Sequence, residues 1–286
     1  MNENKTNINW YPGHMAKTKR LISEQSKLID VVYELIDARI PYSSKIKDSD
    51  NVLLNKPHIL IVTKYDLCDK KETDKWLDEY AKNYKVIKLD LSKSNVDFKE
   101  LISITNDLMK DKNDRRNEKG MKDKEIHALV CGVPNVGKST FINRFVGKNV
   151  ANVGNKPGVT KNLVWLKTKS NILLLDTPGI LWPKIEEDEV ALNLASFSAI
   201  KEEILPLDEV SYHILKKYDK YYKKILNDRY KLDCLTDDVV DDYDNLGRKM
   251  GCLIKGGEID YTRVYTNIIN DIKKEIIKGI TFDRMD

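Results

Sequence analysis

The segment Gly132-Val-Pro-Asn135-Val136-Gly137-Lys138-Ser139 constrains this chain more than any other feature. The apolar run Ile126–Cys131 (IHALVC) leads directly into it, and Thr140–Val146 follows with helical spacing. A GxxxxGK[ST] pattern between a strand and a helix is a phosphate-binding loop. Its glycines let backbone N–H groups turn inward around phosphate oxygens. Lys138 supplies a point charge to the β- and γ-phosphates, and Ser139 offers its hydroxyl to Mg²⁺. Asn135, Val136, Gly137 and Thr140 complete the nucleotide-binding candidates along the loop. A strand on one side and a helix on the other commit this part of the chain to an α/β layer structure.

Two elements downstream suit a nucleoside triphosphate. The strand Asn171–Leu175 delivers Asp176-Thr-Pro-Gly179. Asp176 can hold the Mg²⁺ shell, and the Gly179 amide can meet a γ-phosphate. Between the two motifs, Pro157-Gly-Val-Thr160 offers a threonine that could close on Mg²⁺ when γ-phosphate is present. Either tetrapeptide alone also reads as an ordinary turn. The base-recognition motif NKxD has no match after Gly179. Far upstream, the strand Ile59–Val62 ends in Thr63-Lys64-Tyr65-Asp66. A carboxylate at Asp66 can accept from both guanine N1–H and the exocyclic amine, a donor pair adenine lacks. The Lys64 stem can pack on the base plane. The next strand, Val86–Leu89, runs into Ser92-Lys93-Ser94.

The order TKYD, SKS, GVPNVGKS, PGVT, DTPG resembles the circularly permuted GTPases. Further stretches are similar to the ribosome-biogenesis members of that family: WYPGHMAK (Trp10–Lys17), VYELIDARIP (Val32–Pro41), DTPGILWPK (Asp176–Lys184) and GCLIKGGEIDY (Gly251–Tyr261). The resemblance implies an α/β P-loop GTPase with a circularly permuted, doubly wound, mostly parallel sheet, followed by a C-terminal all-helical domain. It implies GTP/GDP and Mg²⁺ as ligands, with Ser92, Lys93 and Ser94 standing where the family's SAK-like loop touches guanine O6. It also implies hydrolysis of GTP during late assembly of the large ribosomal subunit, the protein docking on precursor particles of rRNA and ribosomal proteins and leaving after the reaction. Thr63 departs from the family's usual Asn, which puts part of the base and loop bracing in question. Ile180 stands where many GTPases carry a water-orienting Gln, so catalytic help must come from elsewhere. Asn135 matches the loop asparagine that ligates K⁺ in potassium-stimulated relatives, with loop bracing as the alternative. His14, in a Gly-containing segment, is a second catalytic candidate beside Lys138 and Thr160; a surface or partner-contact role is its alternative.

The remaining sequence fits this frame. Val31–Asp37, Ile59–Val62 and Val86–Leu89 alternate with helix-like stretches at Thr73–Tyr84 and Asp97–Met109, the signature of parallel strands with crossover helices. Asp111–Lys124 is almost wholly polar and reads as a tether, an extended helix end or a basic arm. Beyond about residue 186 strand signals fade, which divides the chain into a GTPase domain at 1–186 and a helical, RNA- or ribosome-binding domain at 187–286. In this order the γ-phosphate sensor leads straight into the helices, so γ-phosphate loss is expected to reach the second domain through 180–187. Residues 188–286 carry 16 Lys and Arg against 20 Asp and Glu; of the totals of 49 and 45, 33 and 25 therefore fall in 1–187. Polyanion attraction concentrates in the first two-thirds. In the C-terminal part, Tyr212, Tyr218, Tyr221, Tyr222 and Tyr230 serve either packing or base stacking, and Gly247–Gly257 joins backbone freedom to basic side chains suited to phosphates.

The 4 cysteines show no metal or disulfide spacing, and no apolar run approaches the ~18 residues of a membrane span. The chain is expected to be cytoplasmic, free of membranes and monomeric off the ribosome. Two other classes fit parts of the pattern: a nucleotide-gated binding module with negligible turnover, which Ile180 keeps open, and an adenine-nucleotide phosphotransferase, which Asp66 and the SKS loop oppose.

Overall fold

A computed structural model describes residues 20–47, 55–118, 120, 124–150, 164–177, 187–200 and 206–285. His14, Thr160, Gly179 and Ile180 lie outside these residues, as do 178–186 at the expected domain boundary.

The strands are β1 (Val31–Asp37), β2 (His58–Thr63), β3 (Lys85–Lys88), β4 (Ile126–Gly132), β5 (Val164–Lys167) and β6 (Ile172–Asp176). They form one sheet in the order β3-β2-β1-β4-β6-β5. Only β5 runs antiparallel, against β6. The central strands are near-continuous aliphatic runs buried on both faces, as parallel strands covered by helices must be. The edges are short and carry lysines, Lys85 and Lys88 on β3 and Lys167 on β5, which discourages further strand pairing.

β1 is followed outward by β2 and β3, whereas β4 is followed by β6 and β5 on the other side. The chain therefore changes direction between β1 and β4. The crevice at the carboxyl ends of these two strands is the switch point where doubly wound sheets bind ligands. Their register pairs Leu35 with Gly132, so the phosphate loop opens at that crevice.

Helices α1 (Lys70–Ala81), α2 (Lys99–Asn117) and α3 (Lys138–Val146) cover the sheet. Tyr33 of β1 meets Thr105 of α2 at 2.8 Å through their hydroxyls, and its ring packs edge-on to Phe141 of α3. Of the readings open for Asp111–Lys124, the extended helix end holds as far as Asn117, and Lys112 on this extension pairs with Asp30.

The helices α4 (Asp188–Ser196), α5 (Leu207–Tyr221), α6 (Lys223–Tyr230), α7 (Val239–Met250) and α8 (Tyr261–Lys273) follow. Val210, Ile214, Leu215 and Tyr218 of α5 are buried with Val264, Ile268, Ile269 and Ile272 of α8 in a core continuous with that of the sheet. The tyrosine series serves packing: Tyr218 and Tyr230 are buried, Tyr230 donates to Asp271 at 2.9 Å, and Tyr222 reaches the Thr281 carbonyl at 3.0 Å. Gly247 corrects an expectation, because it lies inside α7 and not in a pliant loop. A Cβ there would sit 2.5 Å from Ile259 Cγ2, so this glycine permits close packing. Backbone freedom belongs to Gly256 and Gly257, whose φ angles are +108° and +84°. Among the described residues no helix is long and apolar enough to cross a membrane.

Candidate nucleotide site

The phosphate loop owes its path to two glycines. Gly132 has φ +145°, and a Cβ there would stand 2.6 Å from Leu35 O, so the close approach of β4 to β1 excludes any side chain. Gly137, at φ +106°, opens α3 and leaves the helix N-terminus bare for an anion. Lys138 lies in the first turn and folds back, donating to Gly132 O at 3.0 Å and Val133 O at 2.9 Å. Burial lowers its ammonium to about 8, with Asp176 opposing the shift.

Asp176 ends β6 beside this lysine. Burial raises its carboxyl to about 6, with Lys138 and the Thr177 amide opposing. Its Oδ1 is buried without a hydrogen-bond partner. A desolvated carboxylate oxygen left unsatisfied costs on the order of 1–3 kcal/mol or more, and such sites invite a cation. Ser139, half-buried in the first turn of α3, is the hydroxyl of the phosphate loop. These two residues fit Mg²⁺, which would neutralise phosphate charge and polarise the γ-phosphoryl group. Thr177 braces the strand end by donating to Val130 O at 2.7 Å.

The upstream stretch meets the loop at its far lip. Thr63 Oγ1 lies 2.7 Å from Val136 O and 3.1 Å from Ile36 O, and Lys64 Nζ donates to Asn135 O at 3.0 Å. The loop bracing questioned for Thr63 is therefore present: its hydroxyl donates to the phosphate loop although the carboxamide is missing. Thr63 Cγ2 and Leu91 Cδ1 would each come within 4 Å of a Cβ built on Gly137, so the ends of β2 and β3 converge there. Lys64 adopts φ +56°, the left-handed region, and turns the chain so that Asp66 stands exposed beyond it. Ser92, Lys93 and Ser94 are exposed on the neighbouring loop, where Ser92 donates to Asp90 at 2.5 Å and Lys93 pairs with it at 3.3 Å.

Asp37 and Arg39 carry roles that the sequence had not assigned. Arg39 grips Asp37 through Nε at 2.9 Å and Nη2 at 2.8 Å, and Lys64 approaches Asp37 Oδ2 to 3.3 Å. Burial pushes the Asp37 carboxyl up, but Arg39 and Lys64 outweigh it and hold the group well below the usual carboxylate range. Burial lowers the Lys64 ammonium against the pull of Asp37. The sequence signal was an Asp and an Arg two residues apart at the end of an apolar strand. Arg39 also stacks on Phe197 at 4.5 Å, and Asn135 Nδ2 donates to Ser198 O at 2.6 Å, which brings the turn after α4 onto the phosphate loop. A cavity of about 330 Å³ opens among Arg39, Lys64, Asn135 and Ser198.

The phosphate loop, the strand-end Asp176 and the Thr63–Lys64 turn thus lie together at the carboxyl ends of the strands. A family model described as "50S ribosome-binding GTPase" matches residues 127–235, starting in β4 and leaving the Thr63–Asp66 stretch outside. Ribosome biogenesis GTPase A of Priestia megaterium is 41% identical over 278 residues, covering 96% of each chain. The protein of that name from Bacillus licheniformis is 41% identical over 277 residues, covering 97% of this chain and 98% of its own. The chain belongs to the ribosome biogenesis GTPase A family. It is a GTP hydrolase that binds GTP and GDP. The solved structure of GNP-bound YlqF from T. maritima shares its fold, with a TM-score of 0.61 at 23% identity over 94% of this chain and 98% of that one. The GDP-bound form of YlqF superposes at the same TM-score, 0.61. Family membership agrees with the permuted sheet: β1, β2 and β3 precede the phosphate loop in sequence and lie together on one side of β4.

Proposed function

We propose that this GTPase docks on precursors of the large ribosomal subunit in its GTP form, in the cytoplasm, and leaves after hydrolysis. The observation that carries the reading is the pair of bonds from Thr63 and Lys64 to the backbone of Val136 and Asn135. They tie the turn that leads to Asp66 to the phosphate loop, which supports a single site for base and phosphates of the kind a GTP-gated switch requires. Asp66, with Ser92, Lys93 and Ser94, selects guanine. Val136, Gly137, Lys138, Ser139 and Thr140 hold the phosphates, while Gly179 senses the γ-phosphate. Ser139, Asp176 and Thr160 share Mg²⁺.

Asn135 holds K⁺ beside the phosphates. A hydrolysis rate that is indifferent to K⁺ or Na⁺ would remove this role. His14 assists the water attack, and unchanged hydrolysis in His14→Ala would remove that one. Residues 1–186 form the GTPase and 187–286 the rRNA-facing part, monomeric off the ribosome. Free cysteines at all four positions agree with a reducing compartment. Lys249, Lys255 and Arg263 on the helical part are exposed cations suited to phosphate contacts. The test is co-sedimentation with large subunits and their precursors: retention with a non-hydrolysable GTP analogue, loss with GDP, and steep weakening with salt. Equal retention in both nucleotide states would refute the switch.

A further inference from the structure

The last residues of the chain are woven into the loops that carry base recognition. Gly279 N and Ile280 N both donate to Leu67 O, at 2.7 and 3.3 Å. Thr281 Oγ1 accepts from Asp69 N at 3.1 Å and lies 2.8 Å from Thr73 Oγ1. Phe282 N donates to Arg39 O at 2.8 Å. Asp283 is buried, and its carboxylate accepts from Tyr42 N and Ser43 N at 2.8 Å, Ser43 Oγ at 2.5 Å and Asn193 Nδ2 at 2.8 Å. Lys217 of α5 holds the Phe282 carbonyl at 2.9 Å from the other side.

These contacts fall on residues adjoining the base motif. Leu67 directly follows Asp66, and its own N–H donates to Lys64 O at 2.9 Å, closing the turn. That turn contains Lys64 at φ +56°, a conformation a non-glycine residue keeps only where its surroundings over-determine it. From inside, Thr63 and Lys64 tie the turn to the phosphate loop; from outside, Gly279 and Ile280 tie its end to the tail. The second loop behaves alike. Asp283 secures Tyr42 and Ser43, and the next residue, Ser44, accepts from Asp37 N at 2.9 Å, so the counterion of Lys64 is fixed by the same tail.

We propose that residues 279–283 are a positioning element for guanine recognition: Thr281 and Asp283 anchor the tail that aims the Asp66 carboxylate and holds Lys64 in its turn. This rests on the reading of Asp66 as the guanine-binding carboxylate. By linkage, a partner that draws the tail away from these loops alters the grip on the base.

The experiment measures GDP and IDP affinities of the full chain, wild type, Thr281→Val and Asp283→Asn, with melting temperatures alongside. IDP lacks the exocyclic amine that Asp66 accepts from, so the GDP-to-IDP ratio reads the aim of that carboxylate. The ratio should fall about fivefold in each variant, the worth of one well-placed hydrogen bond, while IDP affinity changes less. Thr281→Ser, which keeps the hydroxyl, should restore it. A lowered melting temperature with an unchanged ratio would overturn the proposal and leave the tail a mere tether. A wild type that binds GDP and IDP equally would overturn the reading of Asp66, and this inference with it.

Discussion

Thr63 stands where the family usually places Asn, yet its hydroxyl makes the bond to the phosphate loop, 2.7 Å from Val136 O. Thr63→Val keeps the shape and removes that donor, so GDP affinity should drop about tenfold by titration. Thr63→Asn should change affinity by less than about threefold, because the bond it would supply is already made. His213 makes a separate prediction. Burial, with Lys217 and Lys216 adding to it, lowers its imidazole to about 3, and its Nε2 lies 2.7 Å from Asn193 Oδ1. Unfolded, the ring takes a proton near 6.5, so between that pH and 3 the unfolded chain binds more protons than the folded one. Stability is then highest above 6.5 and falls on acidification, by about 1–2 kcal/mol from pH 6.5 to 5. Denaturant melts of His213→Gln should show a shallower acid slope over that interval.

Helix α7 and the turn that follows it show how elements are fitted here. Asp238 caps the helix by accepting from Val240 N at 2.8 Å and Asp241 N at 3.3 Å, and Gly251, at φ +65°, ends it. Inside, Gly247 lets Ile259 approach. In an open helix Gly→Ala would gain about 1 kcal/mol, but here the added methyl meets a branched side chain at 2.5 Å. Gly247→Ala should therefore destabilise the protein by about 1–3 kcal/mol in chemical unfolding, the cost of an overpacked contact. A neutral or stabilising result would show that Ile259 can step aside. The edges of the sheet follow another logic: β3 and β5 are short and carry lysines, which discourages further strand pairing.

At the level of the whole molecule, the C-terminal helices meet the loops of the nucleotide crevice both at the phosphate loop and at the loops after β1 and β2. The turn after α4 meets the phosphate loop through Ser198 and Asn135, and the tail meets the base loops through residues 279–283. Nucleotide binding and helix docking should therefore stabilise each other. GDP at about one hundred times its Kd should raise stability by about 2.7 kcal/mol. Hydrogen exchange should slow at 279–283 together with 63–67, and protection confined to the phosphate loop would contradict this coupling.

The sequence by itself determined the elements whose chemistry is local. The phosphate loop needs eight consecutive residues between a strand and a helix. The order of these motifs was enough to imply permutation. The tertiary structure alone decided what lies across the chain: that Thr63 replaces the missing Asn by reaching a residue 73 positions away, and that Asp37 and Arg39 steady Lys64. It also decided that Asp283, near the end of the chain, is buried against Ser43, 240 positions before it. Spacing along the chain records helix and strand periods, whereas a buried carboxylate chooses its donors only after the layers have packed and the water has left.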